Sequence, residues 1–310
     1  MKKGFFILII VLAVATISIS IFIPSSISVA GYKTTNCSSA SVARLFERNG
    51  ETKKWWPGEI INDSNFSFQN THYTITKSNV LGITINIEIS DLKLTGELNA
   101  ILLNKDSSAI QLQYQSFNVG MNPIKRITDY YKALSLKKQL NLILDSFKKF
   151  AENKKNIYGL DIVETKVKDS SLISTKKSFT QYPTNKDIDE LINKLKQHIA
   201  TNGGVEKDYP MLNIRINEEN KYEAIVAIPL MKDIPIKDDI IIKKMVLGNI
   251  LETKVIGGPS TITQSENALK DYVKDYGKVS PAIPFQLMVT NRYKETDTAK
   301  WITVLKYPVF

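Results

Sequence analysis

Few residues in this sequence have the type and spacing that chemistry requires. The lone cysteine, Cys37, excludes an internal disulfide and any paired-cysteine metal or redox site. His72 and His198 are far apart and outside any ligand spacing, so no metal is expected. No glycine-rich nucleotide loop, HExxH or GxSxG segment occurs, so no cofactor is expected either. Two scattered histidines also support no Ser-His-acid order. Carboxylates on strands remain: Glu88, Glu97 and Glu223 are the groups with which a hydrolase or cyclase would have to work. Placed without a partner in an apolar cleft, such a carboxylate has its charged form disfavoured and its pKa raised. That state suits cation binding or general acid–base work.

The elements that carry these residues follow from the hydropathy pattern. Residues 301–310, WITVLKYPVF, alternate and end on Tyr-Pro-Val, and YEAIVAIPL at 222–230 ends on Ile-Pro-Leu. Pro229 and Pro308 lie 79 residues apart. At that offset IVETKV (162–167) falls on IIKKMV (241–246), and LISTKKS (172–178) falls on LETKVIG (251–257). Thr184-x-x-Asp187 falls on Thr263-x-x-Glu266. The second predicts a capping box opening ENALKDYVKDY, and the first a weaker one opening DIDELINKLKQHI. MLNIRI and FQLMVT then read as strands. A unit of two strands, a helix and two strands is thus written twice, over 161–230 and 240–310.

The stretch VIGGPSTITQSENALKDYVKDYGKVSPAIPFQLMVTNRYKETDTAKWITVLKYPV resembles the gyrase-inhibitor-like (GyrI-like) effector-binding family. Gly258-Pro259, Ile283-Pro284-Phe285 and Tyr307-Pro308-Val309 match that family's pattern, and the resemblance covers about 160–310. It implies a pseudo-twofold pair of units with a cleft for an amphipathic or cationic small molecule where they meet. Members fused to DNA-binding domains carry a helix-turn-helix, which this sequence lacks. Members that use a cleft carboxylate place it four residues before the terminal proline, where this chain has Val304 and Ile225. Glu223, two residues up the strand and on the same face, is the nearest acid. Within this unit it is the catalytic or cation-binding candidate, against a plainer reading as a surface residue near a strand start. With Val304 and Ile225 in those positions the cleft is expected to be apolar, walled by Trp301, Tyr307 and Tyr222, unless those aromatics simply pack a sheet face.

Residues 28–153 read as a strand, the short helix SVARLF, the turn WWPG, and alternating strands such as GITINIEI. Asn122-Pro123 then predicts a helix start. Leu136, Leu140, Ile143, Leu144, Phe147 and Phe150 share one helical face. This order resembles the START-like, polyketide-cyclase-like (SRPBCC) helix-grip superfamily. The resemblance implies a curved sheet around a long helix with a cavity for a greasy ligand. Trp55 and Trp56 are either walls of that cavity or core.

Residues 1–27 predict an N-terminal anchor. Residues 4–23 are uncharged and would span about 30 Å as a helix, with Pro24 as its stop. Lys2 and Lys3 favour a cytoplasmic N-terminus and globular domains outside the membrane. The alternative is secretion after cleavage near Ala30. Net charge is +10, but the lysines are dispersed and lack interleaved aromatics, so no nucleic acid is expected. The expected fold class is therefore α+β: a transmembrane helix, a helix-grip domain over 28–153, a linker over 154–160 and a duplicated GyrI-like domain over 161–310. The expected function is binding of a hydrophobic or amphipathic small molecule beside the bilayer. A hydrolase or cyclase and a protein-interaction scaffold are the alternatives.

Overall fold

The computed structural model of the chain describes residues 2–22, 26–47, 50–116, 122–168 and 170–310. Pro24, the expected helix stop, lies outside the described residues. The chain divides into two compact units, Met1–Asn153 and Lys154–Phe310, and each mixes helices with one antiparallel sheet.

The expected fold class is corrected at its first element. Helix α1 (Lys2–Phe22) forms, yet among the described residues no helix is long and apolar enough to cross a membrane. Within α1 the Thr16 hydroxyl donates to the Leu12 carbonyl. The bilayer contact through residues 4–23 and the single-pass topology expected from them are overturned with it. Ala30, the expected cleavage point, sits inside strand β1 (Ile27–Thr35), paired with Gln113.

The rest of the first unit runs through α2 (Ser39–Glu47), α3 (Thr52–Trp55) and β2 (Glu59–Ile60) to β3 (Asn65–Phe68) and β4 (Thr71–Asn79). It continues with β5 (Gly82–Ile89), β6 (Leu92–Asn104), β7 (Ser107–Ser116) and the 29-residue α4 (Pro123–Ala151). The sheet order is β1-β7-β6-β5-β4-β3-β2. Asn122 caps α4, its side chain accepting from the Ile124 and Lys125 amides. Leu136, Leu140, Ile143, Leu144 and Phe147 on α4 are all buried, as are Ile83, Ile85 and Ile87 on β5. The helix stripe and the sheet face thus bury each other.

The second unit comprises α5 (Lys154–Tyr158), β8 (Val163–Lys166), β9 (Ser171–Phe179), α6 (Asn185–Thr201), β10 (Met211–Ile216) and β11 (Tyr222–Leu230). After these come β12 (Ile241–Lys244), β13 (Asn249–Ile256), α7 (Pro259–Asp275), β14 (Phe285–Met288) and β15 (Ile302–Val309). Residues 154–160, read from the sequence as a linker, begin with α5. The sheet order β12-β9-β11-β10-β14-β15-β13-β8 is a palindrome of the two repeats. The first strand of each repeat crosses to the edge of the other half: β8 pairs with β13, and β12 with β9. At the centre Leu212 of β10 pairs with Gln286 of β14, and these two occupy equivalent places in their repeats, so the pseudo-twofold axis passes between them.

Two details of the duplication differ from the sequence alignment. Thr184 forms the full capping box with Asp187. Thr263 does not open α7, which starts four residues earlier at Pro259 with Gly258 as N-cap. Both helices are 17 residues long. The missing linker before α7 is returned by the long β14–β15 connection, residues 289–301. The first two strands of each repeat are also offset by 78 residues, not 79: Pro229 pairs with Leu172, and Pro308 with Ile250. A one-residue slip moves every side chain of a strand to the other face.

Helix α6 packs Ile188, Leu191, Ile192, Leu195 and Ile199 against Ile173, Ala224, Val226 and Ile228. By strand alternation Leu172, Ser174, Ile225 and Ala227 lie on the opposite face.

Candidate ligand cleft on the duplicated sheet

That opposite face carries two cavities, of about 390 and 320 Å³, that share Met211, Met245 and Phe285. The terminal prolines help to open it. A proline has no amide hydrogen for a ladder and is tolerated where that hydrogen has no strand to meet. The β10 pairing reaches Ala227 and stops two residues short of Pro229; the β14 pairing reaches Lys306 and stops two short of Pro308. Pro229 lines the larger cavity and Pro308 the smaller.

The two cavities occupy equivalent halves of the duplication but have unlike linings. In the larger, Ile250 and Glu252 of β13, Lys306 of β15 and Thr165 of β8 meet Leu287 of β14. In the smaller, Leu172 and Ser174 of β9 and Ile225 and Ala227 of β11 meet Asn213 of β10. The rung Glu252–Lys306 in one ladder therefore corresponds to Ser174–Ala227 in the other. The Ser174 hydroxyl already donates to the Val226 carbonyl at 3.0 Å, which leaves the floor of that half apolar apart from Asn213, with Lys243 and Lys244 at its rim. Asn213 donates to the Pro284 carbonyl at 2.9 Å, and its Oδ1 is buried with no partner among the described residues.

Glu252 Oε1 accepts from Lys306 Nζ at 2.5 Å and from the Thr165 hydroxyl at 2.8 Å. Burial pushes the Glu252 carboxyl up, but the Lys306 ammonium and the Thr165 hydroxyl outweigh it and hold the pKa below the usual value. The carboxylate stays ionised at neutral pH with its counter-charge supplied by the protein. A cationic ligand would have to displace Lys306 to reach it. The sequence reading missed this pair. The alignment at 79 put Glu252 against Ile173, which faces α6, and the correct offset puts it on the cleft face.

Of the site residues expected from the sequence (Tyr222, Glu223, Ile225, Trp301, Val304, Tyr307, Trp55 and Trp56), Ile225 is in the cleft lining, together with the motif residues Pro229, Ile283, Phe285 and Pro308. Val304 shares the face of Lys306 but is half-buried between Lys254 and Leu287, outside the cavity lining. Tyr222 and Tyr307 project from the other face. Tyr222 makes an edge contact with Tyr182, centroids 5.4 Å apart. Trp301 is buried, donates from Nε1 to the Glu295 carbonyl at 2.9 Å, and lies under the Arg292 guanidinium. Trp55 and Trp56 are buried in the first unit, Trp55 edge-on to Phe147 at 4.8 Å and Trp56 against Tyr73 at 4.9 Å.

Glu223 is neither a surface residue nor an uncompensated acid. It is 5% exposed, with Lys176 Nζ at 2.8 Å on one oxygen and Arg215 Nη2 at 2.7 Å on the other. Lys176 first, then Arg215, hold its pKa below the usual carboxylate value, opposite to the direction that acid–base work at neutral pH needs. Glu88 and Glu97 are exposed, and Glu88 pairs with Lys93. Among the described residues, no group of His, Cys, Asp and Glu could hold a metal ion.

On the helix-bearing face the axis is covered by the chain itself. Arg292, in the long β14–β15 connection, donates to Gln286 at 2.7 Å and to Thr303 at 2.8 Å. Gln286 in turn donates to Glu266 of α7, and Asn291 reaches Asp189 of α6 at 2.9 Å.

No family model and no curated protein matches the chain. Solved structures similar to it include the EcmrR C-terminal domain, at 13% identity, TM-score 0.42, covering 49% of this chain and 98% of that one. A hydrolase from Listeria innocua aligns at 9% identity and TM-score 0.37, covering 48% of this chain and 91% of its own. SAV2435, solved bound to tetraphenylphosphonium, aligns at 13% identity and TM-score 0.32, covering 48% of this chain and 94% of its own. All three TM-scores lie below 0.5, and the functional reading rests on the residues of the cleft.

Proposed function

We propose that the chain binds a small amphipathic molecule in the cleft of its second unit, as a binding or sequestering module. The observation that carries this is the unequal pair of half-sites. A duplicated sheet has kept two cavities around one axis, within the size range usual for ligand sites, and has made one polar and the other apolar. A lining that only filled space would have no need of an ion pair in one half and its apolar counterpart in the other. Three shared side chains, two of them methionines that adapt readily to irregular shapes, join the halves into one surface.

The three strand carboxylates offer little to a hydrolase or cyclase, since two face solvent and Glu223 is held by two cations. The test is native mass spectrometry of the chain purified from its own source, beside Ala227→Trp, which fills the apolar half. A mass adduct present in the wild type and lost in the folded variant is the expected result. An adduct retained at the same level by the variant would place the bound molecule elsewhere.

A further inference from the structure

The charge of the cleft selects the head group of its ligand, an inference that rests on the small-molecule reading above. Lys166, Lys168, Lys207 and Lys306 line the polar half, and Lys243 and Lys244 the apolar half; the acids there are Asp208 and Glu252. Six cations thus face two carboxylates, and one of those carboxylates is already held by Lys306 and Thr165. A positive rim around a low-dielectric floor raises the local concentration of anions and repels cations.

Lys306 is the interior cation. Its side chain is 18% exposed, and its ammonium has three donors, of which Glu252 takes one. From there the surface runs over Met211, Phe285 and Met245 to Leu172, Ile225, Ala227 and Pro308 without another acid.

We propose that the cleft takes a carboxylate-headed amphipath of the fatty-acid type, its head group on Lys306 and its chain across the axis in the Leu172–Ile225–Ala227 half. Glu252 holds Lys306 in place and also competes with the ligand for it. This competition yields opposite outcomes for opposite ligand charges. Glu252→Gln frees Lys306 and strengthens an anion, but weakens any cation that uses the carboxylate.

Isothermal titration of the full chain with dodecanoate, dodecyltrimethylammonium and 1-dodecanol, each below its aggregation limit, tests this. The expected result is dodecanoate tighter than the other two by about tenfold or more. Lys306→Met should remove that preference, and Glu252→Gln should tighten dodecanoate by a few-fold. Glu252→Gln keeps the shape and a hydrogen-bond acceptor, so the proposal stays testable should Lys306→Met fail to fold. Dodecyltrimethylammonium binding best and weakened by Glu252→Gln would overturn the assignment. So would equal affinity for all three, while leaving the cleft reading standing. If none of the three binds, the small-molecule reading itself falls.

Discussion

Removing the Glu223 carboxylate leaves Lys176 and Arg215 facing each other without the group both of them hold. Both cations are at least half exposed, so water screens most of the loss, and Glu223→Gln is expected to cost only about 1 kcal/mol at neutral pH. The pH dependence is more diagnostic. The folded pKa is lowered, so between the two values the unfolded chain binds more protons than the folded one. The stabilisation is full above the unfolded value, near 4.5, and is lost as pH falls through the lowered folded value. Urea midpoints at pH 7 and pH 3 should differ more in the wild type than in Glu223→Gln. An equal fall in both proteins would show that the pair contributes nothing. At this scale the sequence was partly legible. The family resemblance placed Ile225 at the cleft and strand alternation put Glu223 on the same face, but neither says which cations lie across the ladder, so Glu223 was open to an unpaired reading.

At the scale of elements, the two helices of the duplication start in different ways, and the difference can be measured. Thr184 caps α6 through its side chain, and replacing such a residue by alanine costs about 1 kcal/mol. Thr263 is exposed within α7, where alanine is the better helix former by a few tenths of a kcal/mol. Thr184→Ala should therefore lower the urea midpoint and Thr263→Ala leave it unchanged or raise it slightly. Similar losses from both would place the start of α7 at Thr263 after all. The sequence carried the correct signal in Gly258-Pro259, a small N-cap followed by proline at the first helical position. The apparent Thr-x-x-Glu box masked it, because a repeat alignment at one fixed offset forced the two helices into the same phase. The exchange of β8 and β12 had no sequence signal at all, since periodicity shows which way a strand faces but not which strand lies beside it.

At the scale of the whole molecule, the two units are tested by separate substitutions. In the first, Trp55 and Trp56 fill the space between the sheet and α4, in contact with Phe147, Phe66 and Tyr73. Trp55→Ala is expected to cost about 3–5 kcal/mol in the stability of that unit, read by denaturant unfolding, while dodecanoate affinity stays unchanged. Lost affinity in a variant that is still folded would make Trp55 a ligand wall. The reading of residues 4–23 as a membrane span is not supported, since among the described residues no helix is long and apolar enough to cross a membrane. The succession of elements along the chain, the long helix and the duplication were legible because each is written in local sequence pattern. The cleft was not, since it depends on a register that places Glu252 beside Lys306 in one half and Ser174 beside Ala227 in the other.

The central claim is that a ligand occupies the face of the duplicated sheet away from α6, across the pseudo-twofold axis. The chain has six methionines, and Met211 and Met245 line both halves of the cleft. Met288 packs in the α6 core, and Met231 is exposed elsewhere. With the methionine methyl groups labelled for NMR, titration with dodecanoate should move the Met211 and Met245 signals together, with one dissociation constant. The Met231 and Met288 signals should stay in place. Movement of Met288 with Met211 and Met245 unmoved, or no movement of any methionine at saturating ligand, would contradict the account.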